Sequence, residues 1–172
     1  VPDCSLCVEV AYLDIDQMRS TFTELATLLL GNAKQAKSFM SKAKLHSMEE
    51  LEDSWWNLYE KLLSTGRAVE LSLKIELEDF LYNVQKLIHN KKLSTGENLT
   101  DDVSIDTAAF DDSQCIGDWC AHFNSTWKNH KLVGMDIGTD SLVLMVLSNE
   151  EFKIAQELAK ELLHRIDVAE RL

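Results

Sequence analysis

The stretch Lys131-Leu-Val-Gly-Met-Asp-Ile-Gly-Thr-Asp-Ser-Leu-Val-Leu-Met-Val-Leu-Ser148 decides the fold. Two apolar runs, residues 132–137 and 142–147, flank Gly138-Thr139-Asp140-Ser141, turn-forming residues of hairpin length. A strand with one wet face alternates between apolar and polar residues, whereas the second run is apolar at every position. It is therefore expected at the centre of a sheet with both faces covered. Ser148 and Glu151 have the spacing of a capping box, and Phe152, Ala155, Leu158, Ala159, Leu162 and Ile166 recur at helical intervals. They predict a helix reaching Ile166, with His164 and Arg165 in its last turn, where positive charge meets the negative helix end.

Working back toward the N-terminus, Ser113 is expected to cap a helix carrying Ile116, Trp119, Cys120, Phe123 and Trp127 on its apolar side. Gly117 weakens that helix by roughly 1 kcal/mol relative to alanine and marks either close packing on the sheet or a frayed turn. Before it, Val69, Leu71, Leu73 and Ile75 alternate with polar residues, which predicts a strand with one wet face. A helix follows through Leu77, Phe80, Leu81, Val84, Leu87 and Ile88, with Glu76, Glu78 and Asp79 in its first turn, where the helix dipole favours negative charge. Ser47 and Glu50 form another capping-box pair, opening a helix buried along Leu51, Trp55, Leu58 and Leu62 and stopped at Gly66. Adjacent helical residues point about 100° apart, so Trp55 is expected in the core and Trp56 at its margin rather than together as a stacking platform.

Met18, Phe22, Leu25, Ala26 and Leu29 give a first core helix, ended by Gly31 and Asn32. The next segment, with Lys34, Lys37, Lys42 and Lys44, is the basic element of the chain. Val8, Val10 and Tyr12 permit a short leading strand. Together these readings give a single α+β domain over residues 1–172, with a mostly antiparallel sheet of about three to four strands packed against amphipathic helices. Its parts are a helical region at 16–66, a strand plus helix at 68–88, an acidic loop at 93–112, and a helix, hairpin and helix at 113–166. The length of 172 residues and 45% hydrophobic content suit one core.

The chain carries 29 acidic against 17 basic residues, a formal net charge of -12. Such a charge repels nucleic-acid phosphates and anionic membranes, so neither is an expected partner, and a basic protein is the complementary one. Solubility alone is an equal explanation of the acidity. Residues 93–127 hold Glu97, Asp101, Asp102, Asp106, Asp111, Asp112 and Asp118. The stretch reads as a solvated loop or a docking surface, with Asp101, Asp102, Asp106, Asp111 and Asp112 as the partner-binding candidates. The loop lacks the ordered ligand spacing and central glycine of a calcium site. No apolar run approaches the roughly 20 residues of a membrane span. A cytoplasmic location is expected, with export after processing left open by the start at Val1.

Cys4 and Cys7 stand apart from Cys115 and Cys120, and the second pair lacks zinc-knuckle spacing, so no metal centre and no cofactor are expected. On one helix Cys115 and Cys120 would lie about 140° apart, too divergent to pair. A Cys4–Cys7 disulfide and reduced buried thiols both remain open. The triplets Asn98-Leu-Thr100 and Asn124-Ser-Thr126 matter only in a glycosylating pathway.

The core Met135-Asp136-Ile137-Gly138-Thr139-Asp140-Ser141, with the elements around it, resembles an uncharacterised bacterial family known as a domain of unknown function. Its turn segment Asp-x-Gly-x-Asp-Ser is matched by Asp136, Gly138, Asp140 and Ser141. The resemblance implies a small α+β domain, transfers no catalytic residue, and leaves the Cys4-x-x-Cys7 segment and the acidic stretch unmatched.

Three functional classes follow. The first is an acidic interaction domain of the immunity or inhibitor type that binds a basic toxin or effector. The second is an enzyme or metal-dependent hydrolase centred on Asp136 and Asp140 with His122 as a further group, Asp136 being expected in a groove beside Gly134; against it, the plain alternative and the favoured expectation is that Asp140 is a turn aspartate bonding its own backbone. The third is an adaptor or structural domain.

Overall fold

A computed structural model describes residues 14–96 and 102–172. The leading strand at 8–12, Cys4, Cys7, Asn98 and Asp101 lie outside these residues. In chain order the elements are α1 (Ile15–Leu30), α2 (Ala33–Lys42), α3 (Met48–Ser64), β1 (Ala68–Ser72), α4 (Leu77–Thr95), α5 (Ile116–Thr126), β2 (His130–Met135), β3 (Ser141–Ser148), α6 (Asn149–Glu161) and β4 (Ile166–Val168). In the described part of the segment between α4 and α5, a 3-10 turn spans Thr107–Ala109. No described helix is long and apolar enough to cross a membrane.

The all-apolar run makes β3 an interior strand, as is β2. The sheet is antiparallel with order β1-β3-β2-β4, so β3 pairs with β1 on one side and with β2 on the other. Successive side chains point to opposite faces. Val143, Met145 and Leu147 enter a core shared with α1, α2, α3 and α6, while Leu142, Leu144 and Val146 enter a second core built by α4 and α5. All six are buried, and at about 1.5–3 kcal/mol for each fully buried large aliphatic side chain this strand is the main apolar contributor to the sheet. Helices thus cover both faces, giving three layers.

Local signals place most of the helix ends. Asp14, Asn32, Ser47 and Ser148 accept hydrogen bonds from first-turn amides of α1, α2, α3 and α6. The Glu50 carboxylate accepts from the amide of His46 rather than that of Ser47, so the expected box closes one residue earlier. At α5 the cap is Cys115, whose amide donates to Asp118 at 3.2 Å; Ser113, the expected cap, instead donates through its hydroxyl to Asp111. Gly117 makes no close approach to the sheet: a Cβ there would meet only the Cys115 sulfur, at 3.7 Å.

Two elements depart from expectation. β1 stops at Ser72, because the Ser72 carbonyl accepts the Ile75 amide and closes a turn that leaves Leu73 exposed. Neither face of β1 is simply wet, since Ala68 enters the first core and Leu71 the second. α6 stops at Glu161 and Ile166 belongs to a strand, β4, paired with Met135 of β2. The His164 amide donates to the Ala159 carbonyl and the Leu163 amide to that of Lys160, with Leu163 in the left-handed region at φ 62°. This is a Schellman stop. α3 ends in the same way, where the Arg67 amide donates to Leu62 and the left-handed position holds Gly66 at φ 71°. A leucine in that role gives no sequence signal, so helical periodicity read straight through it.

Candidate functional site

Chain order decides which helix ends gather at the β2–β3 turn. β1 ends with Ser72 opposite Ser141, so α4 begins beside the turn. α3 leads into the start of β1 and α5 into the start of β2, so both of their N-termini lie back at the turn end of the sheet. α6 leaves the far end of β3 and returns, bringing its C-terminus to the same place. Three helix N-termini therefore converge there, bearing Glu49 and Glu50 on α3, Glu78 and Asp79 on α4, and Asp118 on α5. Each acid is stabilised by its own helix dipole, and the turn adds Asp136 and Asp140. The C-termini of α3 and α4, with Lys61 and Lys92, point the other way.

Within this acidic end, a cleft of about 470 Å³ lies between α3, the β2–β3 turn and the end of α6. Its floor is the Trp55 indole, which donates to the Asp136 carbonyl at 2.9 Å and stacks on the His164 ring at 4.1 Å with 4° between planes. Trp56 forms a wall and is 41% exposed; its N–H donates to Glu60 at 3.2 Å and its ring meets that of Tyr59 in a T-shaped contact at 5.0 Å. Asp136 accepts the Gly138 amide through Oδ1 at 2.8 Å, and its own amide donates to the Arg165 carbonyl. Gly138 sits at φ 72° and lines the cleft.

The His164 side chain is only 13% exposed. Its Nε2 lies 3.1 Å from Glu52 Oε1 but makes no well-aligned hydrogen bond, so a buried polar atom is left without full satisfaction. Burial lowers the proton affinity of the imidazole, and the charges of Glu52 and Asp136 offset this only in part. Arg165 also lines the cleft; its guanidinium donates to Asp167 and the Arg171 carbonyl. Leu163, 64% exposed in its left-handed conformation, forms the rim. A non-glycine residue there costs roughly 1–2 kcal/mol, and such strain persists where the surroundings over-determine it, often at working sites.

The residues singled out in the sequence fall in three places. Asp102 is turned inward with its side chain 14% exposed: it accepts from the amides of Lys128 and Asn129 and pairs with His130 Nδ1, fixing the entry to β2. Asp106 accepts from Ala108 in the 3-10 turn and Asp111 from Ser113; both, with Asp112, are exposed. Asp136 and His122 are not brought together. His122 lies on α5 edge-on to Phe110, in the second core layer, whereas Asp136 opens toward α3 and α6 across the sheet. The space beside Gly134 is filled by Leu172, whose Cδ1 would stand 2.0 Å from an added Cβ. Asp136 therefore lies beyond the strand, in the turn, and it rather than Asp140 bonds its own local backbone. Among the described residues no group of three His, Cys, Asp or Glu side chains could hold a metal ion.

Sequence reasoning missed His164 and Glu52. His164 was assigned to a helix end because the Leu163 stop is invisible, and Glu52 looks like any other exposed helical acid. The adjacent Trp55-Trp56 pair was the one available signal, and both rings do line the cleft. A family model described as a domain of unknown function (DUF6630) matches residues 14–169. The matched span includes the acidic stretch and the N-terminal helices. No curated protein and no solved structure matches the chain.

Proposed function

The chain belongs to the DUF6630 family, and from its geometry we propose that it is a protein-interaction domain whose acidic sheet end docks a basic protein, in the manner of an immunity or inhibitor protein. The observation that carries the reading is the convergence of three acid-bearing helix N-termini on the β2–β3 turn. The net charge of -12 adds a long-range field that speeds encounter with a basic partner. Asp111, whose carbonyl accepts the Trp119 indole N–H, and Asp112 extend this acidic end beside the start of α5, whereas Asp102 serves the loop that carries them. The separation of His122 from Asp136 removes support from a hydrolase built on that pair.

Affinity capture from the source cell at low and high salt, with the wild-type chain and a variant carrying Glu78→Gln, Asp79→Asn, Asp111→Asn and Asp112→Asn, tests the reading. A basic protein retained at low salt, released at high salt and lost with the variant is expected. Equal retention by both chains, or a captured partner of acidic charge, refutes it.

A further inference from the structure

We propose that the cleft between Glu52, Trp56, Asp136 and His164 receives a single arginine side chain of the basic partner. This rests on the acidic-face reading and names what its centre recognises. Three features select the guanidinium group. The first is charge: Glu52 and Asp136 open into one hollow, and the one cation among the described residues that also lines it, Arg165, donates to Asp167 and the Arg171 carbonyl instead. The second is shape. A planar cation stacks on an aromatic face, and the half-exposed Trp56 indole offers one at the wall while the Trp55–His164 stack forms the floor.

The third is the pair of carboxylate acceptors. Glu52 is 61% exposed beside His164, and Asp136 uses only Oδ1 on the Gly138 amide. A forked donor brings several N–H groups in one plane, enough to engage Glu52 and the free oxygen of Asp136 together. A lysine ammonium supplies charge but neither the plane nor the fork. The volume of about 470 Å³ accommodates a guanidinium with part of its stem. The exposed Leu163 and half-buried Ile137 at the margins offer apolar cover for that stem.

The test titrates the full chain with tetra-arginine, tetra-lysine and tetra-citrulline peptides, following the tryptophan indole N–H resonances and the binding heat. Arginine is expected to bind several-fold more tightly than lysine, citrulline to show no binding, and the Trp55 and Trp56 signals to move. Glu52→Gln and Asp136→Asn, which preserve shape and the Gly138 bond, should each weaken tetra-arginine by about tenfold, the scale of one charge-assisted pair. Trp56→Ala should abolish the preference for arginine over lysine. Asp111→Asn with Asp112→Asn should weaken both cationic peptides equally and leave the preference intact. Tetra-arginine binding undiminished by the three cleft variants overturns the cleft assignment while leaving the acidic-face reading standing. No binding of either cationic peptide overturns both.

Discussion

Replacing Leu163 with glycine should stabilise the protein, although it removes a large side chain and adds the most flexible residue. Leu163 occupies the left-handed position of the Schellman stop at φ 62°, where a Cβ costs roughly 1–2 kcal/mol. Glycine removes that cost but adds about 0.5–1 kcal/mol of unfolded-state entropy. Little apolar burial is lost, because Leu163 is 64% exposed. The balance is a gain of about 0.5–1 kcal/mol, a rise of roughly 1–4 °C in melting temperature for a chain of this size. The matching position on α3 supplies the control. Gly66 sits at φ 71°, and a Cβ there would meet the Asn90 Nδ2 at 2.6 Å, breaking the bond from that amide to the Gly66 carbonyl. Gly66→Ala should therefore lose about 2–3 kcal/mol. Urea unfolding of both variants at constant m-value measures the pair. A Leu163→Gly chain no more stable than wild type, beside a Gly66→Ala chain that loses stability as expected, would show that Leu163 contributes more through its contacts than its backbone costs.

The other predictions concern buried polar groups and thiols. Asn124 is 8% exposed and brackets β2, donating to the Leu132 carbonyl and accepting the Leu132 amide at 2.7 Å. Asn124→Ala leaves both backbone groups unpaired and should cost about 2–4 kcal/mol by urea unfolding; a loss under 1 kcal/mol counts against it. Asp102 is raised by burial, but the bond from His130 and the amides of Asn129 and Lys128 bring it below the usual carboxylate range. A depressed acid stabilises above its ordinary pKa and loses that contribution as pH falls through the folded value. Asp102→Asn should thus be destabilised at neutral pH by about 2 kcal/mol, with the gap to wild type closing on acidification; a pH-independent gap contradicts the pairing. Burial pushes the Cys120 thiol up to about 12, with smaller contributions from Glu170 and Cys115, while Cys115 is exposed. In a chain with Cys4 and Cys7 replaced by serine, one thiol should react with an aromatic disulfide reagent in the native state and the second only on unfolding. Two equally fast thiols would refute that.

The sheet was legible because its central strand has no polar position: residues 142–147 admit no arrangement with a wet face. Caps at Ser47 and Ser148 were legible because a hydroxyl three residues before a glutamate satisfies free amides by local geometry alone. β4 was not legible, because its existence depends on a leucine adopting a backbone conformation that favours glycine. The candidate site was half legible. Asp136 stood out against the strand pattern, but its partners Glu52 and His164 come from α3 and the end of α6, and only the tertiary return of α6 joins them. Asp102 looked like one more loop acid, and its burial follows from amides at 128 and 129, which no local pattern links to it.

The most direct measurement of the central claim is a map of backbone amide shifts as the basic partner, or tetra-arginine in its place, is titrated into the labelled chain. The account predicts shifts confined to the turn end of the sheet, at residues 48–56, 76–80, 111–118, 136–140 and 163–165, largest around the cleft. Shifts centred instead on the lysine-bearing ends of α3 and α4, or spread evenly over the surface, would contradict it.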